Sequence, residues 1–132
     1  MPDQVFDEFD HTQFREEVEQ RWGERAYAQS DRWWRSMSQE DRSAFQAEHA
    51  GIAADYGRLA EAGLAADSAE AQEVAARHVA WLAKPMRGDV SFEYVTGLGD
   101  MYVADPRFAA NYPGYAEFVR DAMRAYAEAN LR

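Results

Sequence analysis

Three histidines, His11, His49 and His78, have the side chains best suited to ligation or proton transfer, and their spacing argues against a shared site. They fall on three separate segments. No His-x-x-x-His or Glu-x-x-His pair places two ligands on one helical face, so no metal site is expected. The chain has no cysteine, which removes disulfides, thiolate metal sites and thiol nucleophiles. Ser30, Ser36, Ser38, Ser43, Ser68 and Ser91 sit in neither a nucleophile elbow nor a Ser-x-x-Lys motif and read as caps or surface positions. Glu93 and Asp100 share one helical face and would suit an acid–base pair, although a solvated polar stripe is the plainer explanation. Gly97-Leu98-Gly99 lacks the third glycine and the preceding strand of a phosphate loop. His78 lies between Val74 and Trp81 on an apolar row. It reads as a hydrogen-bonded histidine of the core or of a pocket edge, with haem ligation as the alternative; His49 carries the same two readings.

The aromatic residues are harder to assign to packing alone. Trp22, Tyr27, Trp33 and Trp34 fall close together in sequence, and each large ring can bury roughly 150–250 Å². A short helix between Gly23 and Ser38 offers more aromatic surface than a small bundle needs. An open cleft lined by these rings would suit a large, flat, heteroaromatic ligand.

These groups must be positioned by helices, because almost every segment carries a helical period and none alternates like a half-buried strand. The fold class is therefore all-α. A first helix is expected over Thr12–Arg21, preceded by an acidic arm with Phe6 and Phe9, and a second over Glu24–Met37. A third starts at a Ser38–Asp41 capping box and ends at Gly63, with Phe45, His49, Ile52, Tyr56 and Leu59 inward. Asp67–Glu70 repeats the capping pattern for a fourth, which turns Ala71, Val74, His78, Trp81 and Leu82 inward and ends at Pro85. The fifth, Ser91–Val103, is apolar over most of its girth apart from Glu93, Thr96 and Asp100, which marks a central helix. Gly97 and Gly99 within it point to close approach of another backbone or of a ligand. Asp105-Pro106 breaks the chain into a corner, a short helix runs from Pro106 to Tyr112, and Tyr115, Phe118, Val119, Ala122, Met123 and Tyr126 form the inward row of the last helix.

At 132 residues the chain fits one domain, with a subdivision near Gly63–Asp67. The net charge of -10 repels phosphate backbones, so direct contact with nucleic acid is not expected. The sequence contains no membrane-spanning run, and its start, Met1-Pro2-Asp3-Gln4, lacks signal-peptide features, so a cytoplasmic location is expected. The Arg87-Gly88-Asp89 tripeptide is short enough to arise by chance and is given no adhesive role.

The string from Gly97 to Phe108, with Leu98-Gly99, Met101-Tyr102 and Asp105-Pro106-Arg107-Phe108, closely resembles the TipAS antibiotic-recognition domain, the ligand-binding module of some MerR-type transcriptional regulators. The resemblance extends from Phe14-Arg15-Glu16 through Met123. It implies a globin-like domain of about seven helices without haem, no cofactor, and a large antibiotic-like ligand. It also implies N-terminal helices (1–63) that close over the ligand against a compact core (67–132), and a MerR-type DNA-binding segment fused to the domain or acting beside it. Some family members trap dehydroamino-acid groups with a cysteine; without one, this chain is expected to bind non-covalently.

On this basis Trp22, Tyr27, Trp33 and Trp34 are expected to stack on one side of a bulky peptide-derived or polyaromatic antibiotic. Trp81, Tyr94, Leu98, Met101 and Tyr102 would form the floor, with His49 and His78 as hydrogen-bond partners. Asp105 and Arg107 are assigned to the corner, as cap and ion pair. The alternatives are a haem or tetrapyrrole carrier, a drug-modifying enzyme using Glu93 or Asp100, and a module that dimerises through its aromatic face.

Overall fold

Serine hydroxyls open three of the helices. In this computed structural model, which describes residues 32–86 and 90–132, the Ser38 oxygen accepts from the Asp41 amide at 3.0 Å and starts α1 (Gln39–Glu61). Ser68 starts α2 (Ala69–Ala83) by accepting from the Ala71 amide at 3.2 Å, and Ser91 starts α3 (Phe92–Ala104) from the Tyr94 amide at 3.0 Å. Each oxygen satisfies one of the amide donors that a helix leaves open in its first turn. The cap of α2 is Ser68 rather than Asp67, since Ser68 holds the extended backbone from which the helix begins.

The helix ends follow from equally local chemistry. Gly63, at φ 79°, takes the left-handed position after α1, where Leu64 N–H reaches the Leu59 carbonyl and Gly63 N–H the Ala60 carbonyl, both at 3.1 Å. That pair of bonds closes the carbonyls of the last turn. Pro85 lies in a 3₁₀ turn, Lys84–Met86, that follows α2. Asp105 is extended between α3 and α4 (Pro106–Ala109); its carboxylate accepts from the Arg107 amide at 3.0 Å and pairs with the Arg107 guanidinium. The corner is built as the sequence implies. The short helix, however, stops at Ala109 instead of reaching Tyr112, and two tighter turns follow, Asn111 N–H to the Phe108 carbonyl and Tyr112 N–H to the Ala109 carbonyl. Tyr112 is thereby placed fully inside the core. Gly114, at φ 83°, lies in the turn before α5 (Ala116–Asn130).

The main packing is α3 against α5, with α2 lying against both α1 and α5. Val95, Leu98, Met101 and Tyr102 of α3 are buried, and Glu93 and Asp100 face solvent, so the central helix is apolar on most of its circumference. Ile52 and Tyr56 from α1, Val74, Ala75 and Val79 from α2, and Val119, Ala122 and Met123 from α5 complete one continuous core. The expected close approach occurs at Gly99, where a Cβ would lie 3.4 Å from the Arg120 Cα. Gly97 differs: a Cβ there would meet nothing within 4 Å among the described residues.

Besides these five helices, residues 32–36 are helical, and the described residues contain no strand. The expected first helix, most of the second, the acidic arm, His11, Trp22, Tyr27 and the Arg87-Gly88-Asp89 tripeptide lie outside the described residues. No helix among the described residues is long and apolar enough to cross a membrane.

Candidate functional site

An unbroken run of aromatic rings leads from the helical stretch 32–36 to the core of the described residues. Trp33 and Trp34, on the helical stretch 32–36, are half-buried. Arg42 of α1 ties them down: its Nε and Nη2 donate to the Trp34 carbonyl at 3.1 and 2.9 Å, and its guanidinium carbon lies 5.2 Å from the Trp34 ring centre. Phe45, one turn along α1, meets Trp33 edge-on at 4.8 Å and stacks on Trp81 at 4.3 Å. Trp81 Nε1–H donates to the Phe45 carbonyl at 2.8 Å, so the stack is fixed by geometry as well as contact. The His49 ring lies 4.7 Å from Trp81 and follows Phe45 by four residues, the spacing that puts two side chains on one helical face.

Beyond this point the run becomes polar without becoming charged. His49 Nε2 and the Tyr112 hydroxyl are 2.8 Å apart, and the Tyr56 hydroxyl lies 3.0 Å from His78 Nδ1. The His78 and Tyr102 rings are nearly parallel with centres 6.1 Å apart, and the Tyr102 and Tyr112 ring centres lie 5.1 Å apart. His49 and His78 are 3% and 0% exposed, and burial pushes the imidazoles down to about 4 and about 3 respectively. The nearby His49 imidazole lowers His78 further. Both are neutral near neutrality, because the interior disfavours the imidazolium. Burial raises the hydroxyls of Tyr56, Tyr102 and Tyr112, and lifts Tyr94 to about 12. The centre of the fold therefore offers hydrogen bonds and no net charge.

Of the expected site residues, Trp33, Trp34, Trp81, His49, His78 and Tyr102 lie in this run. Leu98 and Met101 are buried beside Tyr102 on α3, with Tyr94 half-buried against the same core. Phe45, Tyr56 and Tyr112 were missing from the expected set. The inward row of α1 already contained Phe45 and Tyr56, but only the tertiary fold sets Tyr112 against His49, far away in sequence. Glu93 and Asp100 are exposed on α3, and Asp100 pairs with Arg124 at 3.3 Å, an arrangement of surface charge outside the aromatic run. No grouping of three His, Asp or Glu side chains suited to a metal ion occurs among the described residues.

A separate open groove of about 830 Å³ runs beside the C-terminal half of α1, lined by Ala54, Gly57, Arg58, Glu61, Pro113 and Tyr115 among others. Small and charged side chains dominate its walls, and Tyr115 is its one aromatic ring. It lacks the stacked surface of the run described above.

Comparison with known proteins returns one consistent result. The model of the TipAS antibiotic-recognition domain family matches residues 14–126. The chain is similar to the HTH-type transcriptional activator TipA of Streptomyces coelicolor and of Streptomyces lividans, at 39% identity over 129 residues, covering 94% of this chain and 51% of TipA. It is also similar to the HTH-type transcriptional regulator SkgA of Caulobacter vibrioides, at 35% identity over 97 residues, covering 70% of this chain and 38% of SkgA. The chain thus spans about half the length of TipA, the regulator it matches over most of its own length. Among solved structures, TipAS from Streptomyces lividans in complex with the thiopeptide antibiotic nosiheptide superposes with a TM-score of 0.80 at 37% identity, covering 98% of this chain and 94% of that one.

Proposed function

This chain belongs to the TipAS antibiotic-recognition domain family, and from that membership we propose that it binds a bulky peptide-derived or polyaromatic antibiotic, without a covalent bond and without changing it chemically. The observation that carries the proposal is the aromatic run that begins at half-buried Trp33 and Trp34 and continues through Phe45 and Trp81 to neutral hydrogen-bonding groups. Stacked rings supply apolar area to a flat ligand, and a few convergent polar atoms orient it. In this reading Trp22, Tyr27, Trp33 and Trp34 cover one side of the ligand. Trp81, Tyr94, Leu98, Met101 and Tyr102 form the floor, and His49 and His78 provide hydrogen bonds. The related TipAS is known with nosiheptide, which makes thiopeptides the ligand class to test first.

The relatives are named as transcriptional regulators. That supports a binding domain acting in the cytoplasm, by sensing or sequestration, fused to a MerR-type DNA-binding segment or working beside one. Titration of the chain with nosiheptide, followed by tryptophan fluorescence and circular dichroism, tests the proposal. Saturable quenching or a shift of emission is expected, with the antibiotic recovered at unchanged mass after prolonged incubation. A panel of thiopeptides and other large antibiotics that leaves fluorescence and helicity unmoved overturns it, and a time-dependent change in ligand mass replaces binding with catalysis.

A further inference from the structure

His78 is fully buried, and the fold treats its two ring nitrogens unequally. Nδ1 lies 3.0 Å from the Tyr56 hydroxyl, whereas Nε2 is buried with no hydrogen-bond partner among the described residues. The imidazole is neutral and carries one proton; the Tyr56 hydroxyl, also held un-ionised by burial, carries another. If Nδ1 donated to Tyr56, the tyrosine proton would need an acceptor of its own and Nε2 would remain a bare lone pair. Two buried groups would then go unsatisfied. If Tyr56 donates to Nδ1, a single group is left, the Nε2–H. The second arrangement wins because each unsatisfied buried polar group is costly, and it fixes the tautomer.

The fixed donor sits inside a wall of rings. His49, Trp81, Tyr102 and Tyr112 surround the imidazole with centre-to-centre distances of 6.1 to 6.5 Å. Buried N–H groups without an acceptor are rare in folded proteins, and one that occurs within a ligand-binding fold points to an acceptor that arrives with the ligand. Trp81 and Phe45 link this centre to Trp33, and a ligand entering from that side would part their stack and replace the Trp81 Nε1–H bond to the Phe45 carbonyl.

We propose that His78 Nε2–H donates to a neutral acceptor on the bound antibiotic, an amide carbonyl or a heteroaryl nitrogen, and that Tyr56 is the positioning residue that holds the donor tautomer. This deepens the binding reading above and rests on it. The acceptor is neutral because the surrounding hydroxyls and imidazoles carry no charge to offset burial of an anion.

Long-range proton–nitrogen spectra of the full chain, labelled with ¹⁵N-histidine and recorded with and without nosiheptide, test the assignment. The free protein should show His78 protonated at Nε2 and bare at Nδ1. Saturation with nosiheptide, followed in parallel by tryptophan fluorescence, should move the Nε2 resonance and leave Nδ1 in place. Tyr56→Phe should mix the two tautomers and weaken nosiheptide binding about tenfold, the size of one neutral hydrogen bond. Should that variant lose helicity, the wild-type spectra decide alone. A free protein protonated at Nδ1 overturns the inference. So does bound nosiheptide with an unmoved Nε2 signal, the result expected if an internal water accepts the proton, and this outcome leaves the binding reading intact. Absence of any fluorescence response overturns the binding reading and this inference with it.

Discussion

His49 and His78 make the core sensitive to acid in a definite direction. Their imidazoles sit well below the ordinary value of 6.5, at about 4 and about 3, because burial disfavours the charged ring. The unfolded chain therefore takes up these protons first as pH falls. Stability gained from keeping the rings neutral is complete above about pH 6.5 and is lost progressively below it, at up to about 2.7 kcal/mol per pH unit for the pair. The loss levels off only where the folded imidazoles are themselves protonated. Urea unfolding between pH 7 and pH 5, a window above the titration of ordinary carboxylates, should show the midpoint falling steadily. A midpoint constant across that window contradicts the burial of two neutral imidazoles. The sequence already put both histidines on apolar helix rows. Their tyrosine partners were not legible, since the bonds to Tyr56 and Tyr112 cross between segments that no local period relates.

Helix caps and corners are written in a few adjacent residues, so this level of the structure was the most readable. Ser38, Ser91, Gly63 and Asp105-Pro106 all act where local chemistry puts them. The exceptions arise where tertiary packing overrides the local signal. The helix starting at Pro106 gives up its last residues as Tyr112 turns into the core, and the two glycines of α3, alike in sequence, meet different surroundings. Gly99 lets α5 approach, whereas Gly97 faces open space among the described residues. Gly97→Ala should recover most of the helix propensity that glycine forfeits, about 1 kcal/mol, and raise the melting temperature by about 3–5 °C. Gly99→Ala adds its methyl against the Arg120 backbone and should gain less or nothing. Thermal unfolding of the two variants side by side checks the contrast; equal gains would mean that the α3–α5 contact is looser than the Gly99–Arg120 spacing implies.

At the scale of the molecule, the family was legible in the Gly97–Phe108 string, but the path of the aromatic surface was not. Trp33, Phe45 and Trp81 become neighbours only when the stretch 32–36 folds back on α1 and α1 packs on α2. The same arrangement separates two roles that composition alone merges. Trp81 is 4% exposed and belongs to the core, so its removal would cost stability whatever the ligand does. Trp33 and Trp34 are only half-buried, and the bonds from Arg42 go to the Trp34 main-chain carbonyl, which survives truncation of the ring. Trp33→Ala and Trp34→Ala should therefore lower the melting temperature of the free protein only slightly while weakening nosiheptide binding about tenfold or more, comparable to loss of one stacked ring at a contact. Ligand-linked stabilisation provides an independent measure. A ligand present at a hundred times its dissociation constant stabilises the folded state by about 2.7 kcal/mol, and the variants should lose part of that increment at the same nosiheptide concentration. If the free variants melt far below the wild type yet show an undiminished increment, the two rings serve packing, and the ligand surface has to be sought elsewhere along the run.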